Sequence, residues 1–198
     1  MRSNNMSKEE SPMKVMLTSC GIETQTIKAH FLRWLGKSPA ETKALFIPTA
    51  AITADAIQVL PACMDDLLKC GILQENIMVF DLHRNMPMEE LQTFDVVYLC
   101  GGTTAYLLER INETGFRDSL LAYIHAGGMV IGVSAGSMIF VDYLPDNLGL
   151  LDVRMSVHSK KTNILGKVSF PVEETIELSN TAAMLIRSIP DDVEIIDG

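Results

Sequence analysis

Met129-Val130-Ile131-Gly132-Val133-Ser134-Ala135-Gly136-Ser137-Met138-Ile139-Phe140 is the stretch that decides how this chain is read. Three consecutive apolar residues make a buried strand, and G-x-S-x-G follows them directly. The residues beyond form a helix over Ser137 to Phe140. A serine between two glycines at a strand-to-helix turn is lifted clear of the sheet, because a Cβ at either glycine would crowd the turn. The backbone N–H of Ala135 then lies beside the Ser134 hydroxyl at the helix N-terminus. That combination is a nucleophile with one oxyanion donor. The structural alternative is a tight turn holding a buried, hydrogen-bonded serine.

Outward from this turn, apolar runs alternate with helical patterns. Val15-Met16-Leu17, Ala44 to Ile47, Ile77 to Phe80 and Val96 to Cys100 read as strands ahead of the one that carries Ser134. Ile27, His30, Phe31, Trp34 and Leu35 recur at helical spacing, and Pro39 is expected to end that helix. Ile57 to Cys70 reads as a second helix stopped by Gly71, and Ala105 to Arg110 and Phe116 to His125 as two more. Continuously apolar strands separated by helices imply an α/β fold, a doubly wound and mostly parallel sheet with helices on both faces. Such sheets carry their sites at the carboxyl ends of the strands. The glycine-bearing turns at Cys20-Gly21, Gly101-Gly102 and Gly132 to Gly136 all fall there. After about residue 150 the pieces shorten. Ile176 to Leu178, Met184 to Ile186 and Val193 to Ile196 read as small antiparallel strands at one edge.

The chain has 198 residues, 47% of them hydrophobic, which suits a single domain with a substantial core. Residues 13–198 are read as that domain, and Met1 to Pro12, polar and without an apolar segment, as a disordered lead-in with no secretory signal. Sixteen basic against 25 acidic side chains give a net charge of −9, which argues against nucleic acid or an anionic membrane surface as partner. No apolar run approaches the ~20 residues of a membrane helix. Cys20, Cys63, Cys70 and Cys100 lack zinc spacing and fit reduced thiols in a cytoplasm. Cys63 and Cys70 read as core packing. Cys100 could line a site but reads first as a small buried apolar residue.

Serine needs a base, and four histidines are available. His30 lies on a helix stripe and reads as packing, and His125 as a helix-end residue. His83 follows the third strand at the correct sheet edge and remains a candidate. His158 follows the alternating segment Leu150 to Val157 and places serine before histidine in chain order, as in other serine hydrolases on parallel sheets. A second oxyanion donor should come from a neighbouring turn, for which Gly101-Gly102 is suited. No G-x-G-x-x-G follows the first strand, which argues against a dinucleotide site.

Three segments together resemble a known family: Gly101-Gly102-Thr103-Thr104-Ala105-Tyr106-Leu107-Leu108 after a strand, Gly132 to Ile139, and Leu148-Gly149-Leu150-Leu151-Asp152 leading to His158. They are similar to peptidase E, the aspartyl dipeptidases on the flavodoxin-like, class I glutamine amidotransferase-like fold. Leu17-Thr18-Ser19 and Phe46 to Ala50 fit as well. The resemblance implies Ser134 as nucleophile, His158 as base, the amides of Gly102 and Ala135 as oxyanion hole, and Gly101, Thr103 and Thr104 in the substrate pocket. It implies short peptides with N-terminal aspartate as substrates, and neither metal nor organic cofactor.

Several departures accompany it. Thr103 stands where the family has asparagine, and Val157 and Ser159 flank His158 in place of proline and an aromatic. The interval after Ser134 that should carry the orienting acid is shortened. Asp142 and Asp146 are the acids within it, and Asp142 is the favoured one; Asp152 reads as a turn or surface carboxylate. Lys160, Lys161 and Arg187 are candidates to grip a substrate carboxylate. A family-like domain that binds a small acidic ligand without efficient catalysis, and a serine esterase, are the competing readings. The C-terminal strands could also pair between subunits in a homo-oligomer.

Overall fold

The computed structural model describes residues 12–198, so the lead-in expected over Met1 to Pro12 lies, but for Pro12, outside the described residues. In chain order the strands are β1 (Lys14–Thr18), β2 (Ala44–Ile47), β3 (Ile77–Val79), β4 (Val96–Leu99), β5 (Met129–Val133), β6 (Met155–Ser159), β7 (Gly166–Lys167), β8 (Ile176–Ser179), β9 (Ala182–Ser188) and β10 (Asp192–Asp197). The helices are α1 (Gln25–Leu35), α2 (Ala54–Gln58), α3 (Leu60–Lys69), α4 (Met88–Leu91), α5 (Thr104–Glu113), α6 (Phe116–His125) and α7 (Ala135–Met138).

An eight-stranded sheet runs in the order β3-β2-β4-β5-β1-β9-β10-β7. The strands β3, β2, β4, β5 and β1 are parallel to one another, as continuously apolar strands joined by helices require. The remaining three are antiparallel additions beyond β1. Successive strand residues face opposite sides, and two cores result. Val15, Leu17, Val97, Leu99 and Val130 pack with Leu107, Ile111 and Leu120 of α5 and α6. Met16, Phe46, Tyr98 and Ile131 pack with Ile27 and Phe31 of α1 and Leu67 of α3. This is the doubly wound, flavodoxin-like arrangement.

Local chemistry moved several boundaries. Thr24 caps α1 by accepting from the Ile27 N–H, at 3.2 Å, and the helix ends at Gly36 in a left-handed conformation, before Pro39 is reached. The helix read over Ile57 to Cys70 is two helices, divided at Val59 because Pro61 sits in the first turn of α3. The helix read after Ser134 is the single turn α7, starting at Ala135. The C-terminal strands also differ from a simple edge meander. β9 and β10 do form the antiparallel hairpin, and it joins the main sheet beside β1. β8 leaves that set and pairs in parallel with β6 in a separate two-stranded sheet. That small sheet brings His158 to the main one.

Candidate active site

β4, β5 and β1 are neighbours in the sheet, so the turns after them share one rim. The glycines around Ser134 are needed for contact. A Cβ at Gly132 would lie 2.5 Å from the Gly136 carbonyl oxygen, and one at Gly136 would lie 2.3 Å from that of Leu99. Held this tightly, Ser134 adopts φ 49° and ψ −110°, a conformation costing about 1–3 kcal/mol that the surroundings must impose. They do so through Thr18. Its carbonyl accepts from the Ser134 N–H at 2.9 Å and from the Ser137 hydroxyl at 2.8 Å. Its own N–H donates to Ser137 Oγ at 2.9 Å, and its hydroxyl to the Gly132 carbonyl at 2.9 Å. Ser137 is fully buried. Replacing it with alanine orphans a buried donor, and Ser137→Ala is expected to cost about 2 kcal/mol in urea unfolding. A change below a few tenths would show that the network does not hold the turn.

His158 Nε2 lies 2.9 Å from Ser134 Oγ. Two features of β6 deliver it. The β6–β8 register slips between Ser156 and Ser159, a bulge in which His158 takes φ 58° and is re-aimed. Ser19, at the end of β1, then binds both strands: its hydroxyl accepts from the His158 N–H at 3.2 Å and donates to the Leu178 carbonyl at 3.0 Å.

On the far side of the ring, Nδ1 meets Asn180 Oδ1 at 3.0 Å, with Cys20 Sγ at 3.6 Å. Nδ1–H donating to the amide oxygen leaves the Nε2 lone pair facing Ser134, the tautomer a general base requires. The structure does not bring Asp142 to this position. Its side chain is exposed, and its backbone N–H donates to Val153 across the connection after α7. Asp146 is also elsewhere, its carbonyl bound by Asn112 and Arg117, and Asp152 is exposed. Sequence reasoning missed Asn180 because an asparagine between two apolar runs carries only a turn signal. Asn180→Ala is expected to lower kcat about 10- to 100-fold with KM little changed, and Asn180→Asp to restore most of it. Equal losses in both variants, or a loss confined to KM, would contradict a positioning role.

The Gly101-Gly102 turn closes the site from β4. An added Cβ at Gly101 would be 3.2 Å from that of Ser134, while Gly102 has φ +142° and packs against the Ala50 carbonyl. The Thr103 N–H donates to that carbonyl at 2.8 Å. Among the described residues, the amides of Gly102 and Ala135 donate to no protein acceptor. Thr104 opens α5 behind the turn. A cavity of about 340 Å³ adjoins Ser134, His158 and Gly101-Gly102.

Other sequence candidates fall away from it. His83 stacks obliquely on Phe80, with ring centroids 5.1 Å apart, His30 is half-buried in α1, and His125 is exposed at the end of α6. Cys63, Cys70 and Cys100 are buried; burial pushes the Cys70 thiol up to about 11. Arg187 is bound to Asp192 and Glu194 at 2.8 Å each, beyond the Val15–Ile186 pair and thus at the opposite end of β1 from Ser134. Lys160 and Lys161 are exposed and do not line the cavity.

A doubly wound α/β domain with a serine on a strained strand-to-helix turn, in contact with a histidine, defines the class. The chain belongs to peptidase family S51, whose sequence profile matches residues 15–153. The match includes Ser134 and stops short of His158. An uncharacterized peptidase of Listeria monocytogenes is 32% identical over 94 residues, 48% of this chain and 46% of the relative. Another, of Pasteurella multocida, is 28% identical over 102 residues, 50% of this chain and 49% of the relative. The chain thus spans about half the length of the curated relatives it matches. A crystal structure of a candidate peptidase E protein from Listeria monocytogenes superposes with a TM-score of 0.71 at 22% identity, covering 95% of this chain and all of that one. A peptidase from an acI-B1 actinobacterium gives 0.70 at 17% identity, covering 96% and 89%. At these identities the two structures establish the fold.

Proposed function

We propose that this S51 family member is a serine peptidase cleaving short peptides through an acyl-enzyme. The observation that carries the reading is the 2.9 Å contact between Ser134 Oγ and His158 Nε2 on a turn strained to φ 49°. His158 takes the Ser134 proton as Oγ attacks the scissile carbonyl, and returns it to the leaving amine. The unengaged amides of Gly102 and Ala135 supply the oxyanion donors. Asn180 keeps the imidazole in the working tautomer. Among the described residues no helix is long and apolar enough to cross a membrane. Four free cysteines support a reducing, cytoplasmic setting.

The finer specificity implied by the resemblance to peptidase E is a dipeptide beginning with aspartate. Among the described residues, neither lysine nor arginine lines the cavity to meet that carboxylate. The test is hydrolysis of dipeptides and aminoacyl anilides beginning with Asp, Glu, Asn, Ala and Lys, alongside labelling by a fluorophosphonate. Turnover of any member with an adduct mapped to Ser134 is the expected result. An adduct absent from Ser134, with no hydrolysis across the panel, would sink the assignment. Asn180 supports a second reading, because an amide gives the imidazolium less support than a carboxylate. A domain that binds a small ligand without turnover would show a ligand-dependent rise in Tm and no labelling.

A further inference from the structure

The cavity beside Ser134 has an uneven wall. Among the described residues, the carboxyl groups that line it are those of Glu23, just before α1, and Asp66, on α3. Ala56, Val59 and Ala62 of the α2–α3 region make an apolar side.

Asp66 is built into this wall. Gly21 approaches so closely that an added Cβ would lie 2.1 Å from Asp66 Oδ2. The Ile22 N–H donates to the same oxygen at 2.9 Å, and the buried Tyr98 hydroxyl donates to it as well. Both bonds fall on Oδ2, and Oδ1 has no protein donor among the described residues. Burial raises the Asp66 carboxyl above its ordinary pKa, against the lowering effect of the Tyr98 and Ile22 bonds, and Glu23 raises it further. A cation bound in the cavity would relieve that cost of holding negative charge there. A substrate carboxylate would add to it.

We propose that the cavity selects a substrate residue with a cationic head on an aliphatic stem, a lysine- or arginine-type side chain, with Glu23 and Asp66 holding the head and Ala56, Val59 and Ala62 the stem. This rests on Ser134 being the nucleophile. Long basic side chains match such a wall because their methylenes favour apolar surface while the charge seeks a partner. A charge-assisted hydrogen bond to a partly buried carboxylate distinguishes the cationic head from its neutral isostere.

The experiment uses diphenyl α-aminoalkylphosphonates bearing lysine, norleucine or aspartate side chains, applied to the full chain. Attack by Ser134 Oγ forms the O–P bond and expels phenoxide, so the adduct is read by intact mass without peptide turnover. The lysine probe is expected to react about 10- to 100-fold faster than norleucine, the value of a hydrogen bond to a charged group, with aspartate slowest. Glu23→Gln and Asp66→Asn, made separately, should each narrow the lysine-to-norleucine ratio. Glu23 is exposed, so its variant keeps the test usable should Asp66→Asn fold poorly. Equal lysine and norleucine rates, a faster aspartate probe, or a ratio unmoved in both variants would overturn the proposal. Equal rates that are both lost on N-acetylation would overturn it too, by assigning the carboxylates to the α-ammonium. A fluorophosphonate without a side chain separates the two levels. If it labels Ser134 while the lysine probe has no advantage, the specificity fails and the nucleophile stands; if it leaves Ser134 unlabelled, both fail.

Discussion

Ser134→Ala is expected to lower kcat/KM on any substrate that wild type cleaves by about 10⁴- to 10⁶-fold, with secondary structure and unfolding cooperativity unchanged. Among the described residues, the two other serines packed against this turn are committed elsewhere. Ser19, the nearest serine in chain terms to the β1 end, is buried and committed to Leu178 and the His158 N–H. Ser137 is committed to Thr18. A companion variant separates chemistry from strain. Ser134 holds φ 49°, which costs a residue with a Cβ and is free for glycine. Ser134→Gly should therefore be more stable than Ser134→Ala by about 1 kcal/mol, or roughly 2–4 °C in Tm for a chain of this size. Both variants should be equally inactive. A Ser134→Ala protein retaining wild-type rates would remove the nucleophile assignment, and a Ser134→Gly protein less stable than the alanine variant would remove the strain argument.

Gly102→Ala should carry the largest stability penalty at the site. At φ +142° an L side chain is disfavoured in itself, and the new Cβ would be 2.0 Å from the Ala50 oxygen and 2.4 Å from its carbonyl carbon. Those are backbone atoms and cannot swing aside. The turn must move, and with it the 2.8 Å bond from the Thr103 N–H to Ala50 and the Gly102 amide proposed as an oxyanion donor. We expect about 3 kcal/mol of destabilisation, roughly 6–12 °C in Tm. Activity of the folded fraction should fall by about 100-fold or more, as for loss of an oxyanion donor. Calorimetry and kcat measured at a temperature where the variant is fully folded give the two quantities independently. A fall in Tm with unchanged kcat would mean that this amide takes no part in the reaction.

What the chain determined by itself was everything that depends on near neighbours in sequence. Apolar runs such as Val96 to Leu99 declare a strand buried on both faces, since burial of each side requires an apolar residue at every position. Gly132 and Gly136 declare a tight turn around Ser134 because no other residue fits 2.5 Å or less from a carbonyl. Parallel order then follows from helices between strands, and the rim of the site from parallel order. The limits are equally local in cause. Pro61 and Gly36 moved helix ends through single caps, which a hydrophobic period does not register.

Only the tertiary structure decided what meets across long sequence separations. β8 looks like a third member of the C-terminal meander, yet it pairs with β6, and the resulting bulge aims His158 at Ser134. Asn180 reaches Nδ1, where Asp142 had been expected, because the β8–β9 turn lies beside β6, while Asp142 is carried off by the connection after α7. Arg187 is spent on Asp192 and Glu194 at the other end of the sheet. Gly21, Asp66 and Tyr98 come from three separate segments and assemble the carboxylate wall of the cavity. Such contacts are selected by strand register and packing, each of which sums many weak interactions over the whole domain. A spacing along the chain carries no record of that sum.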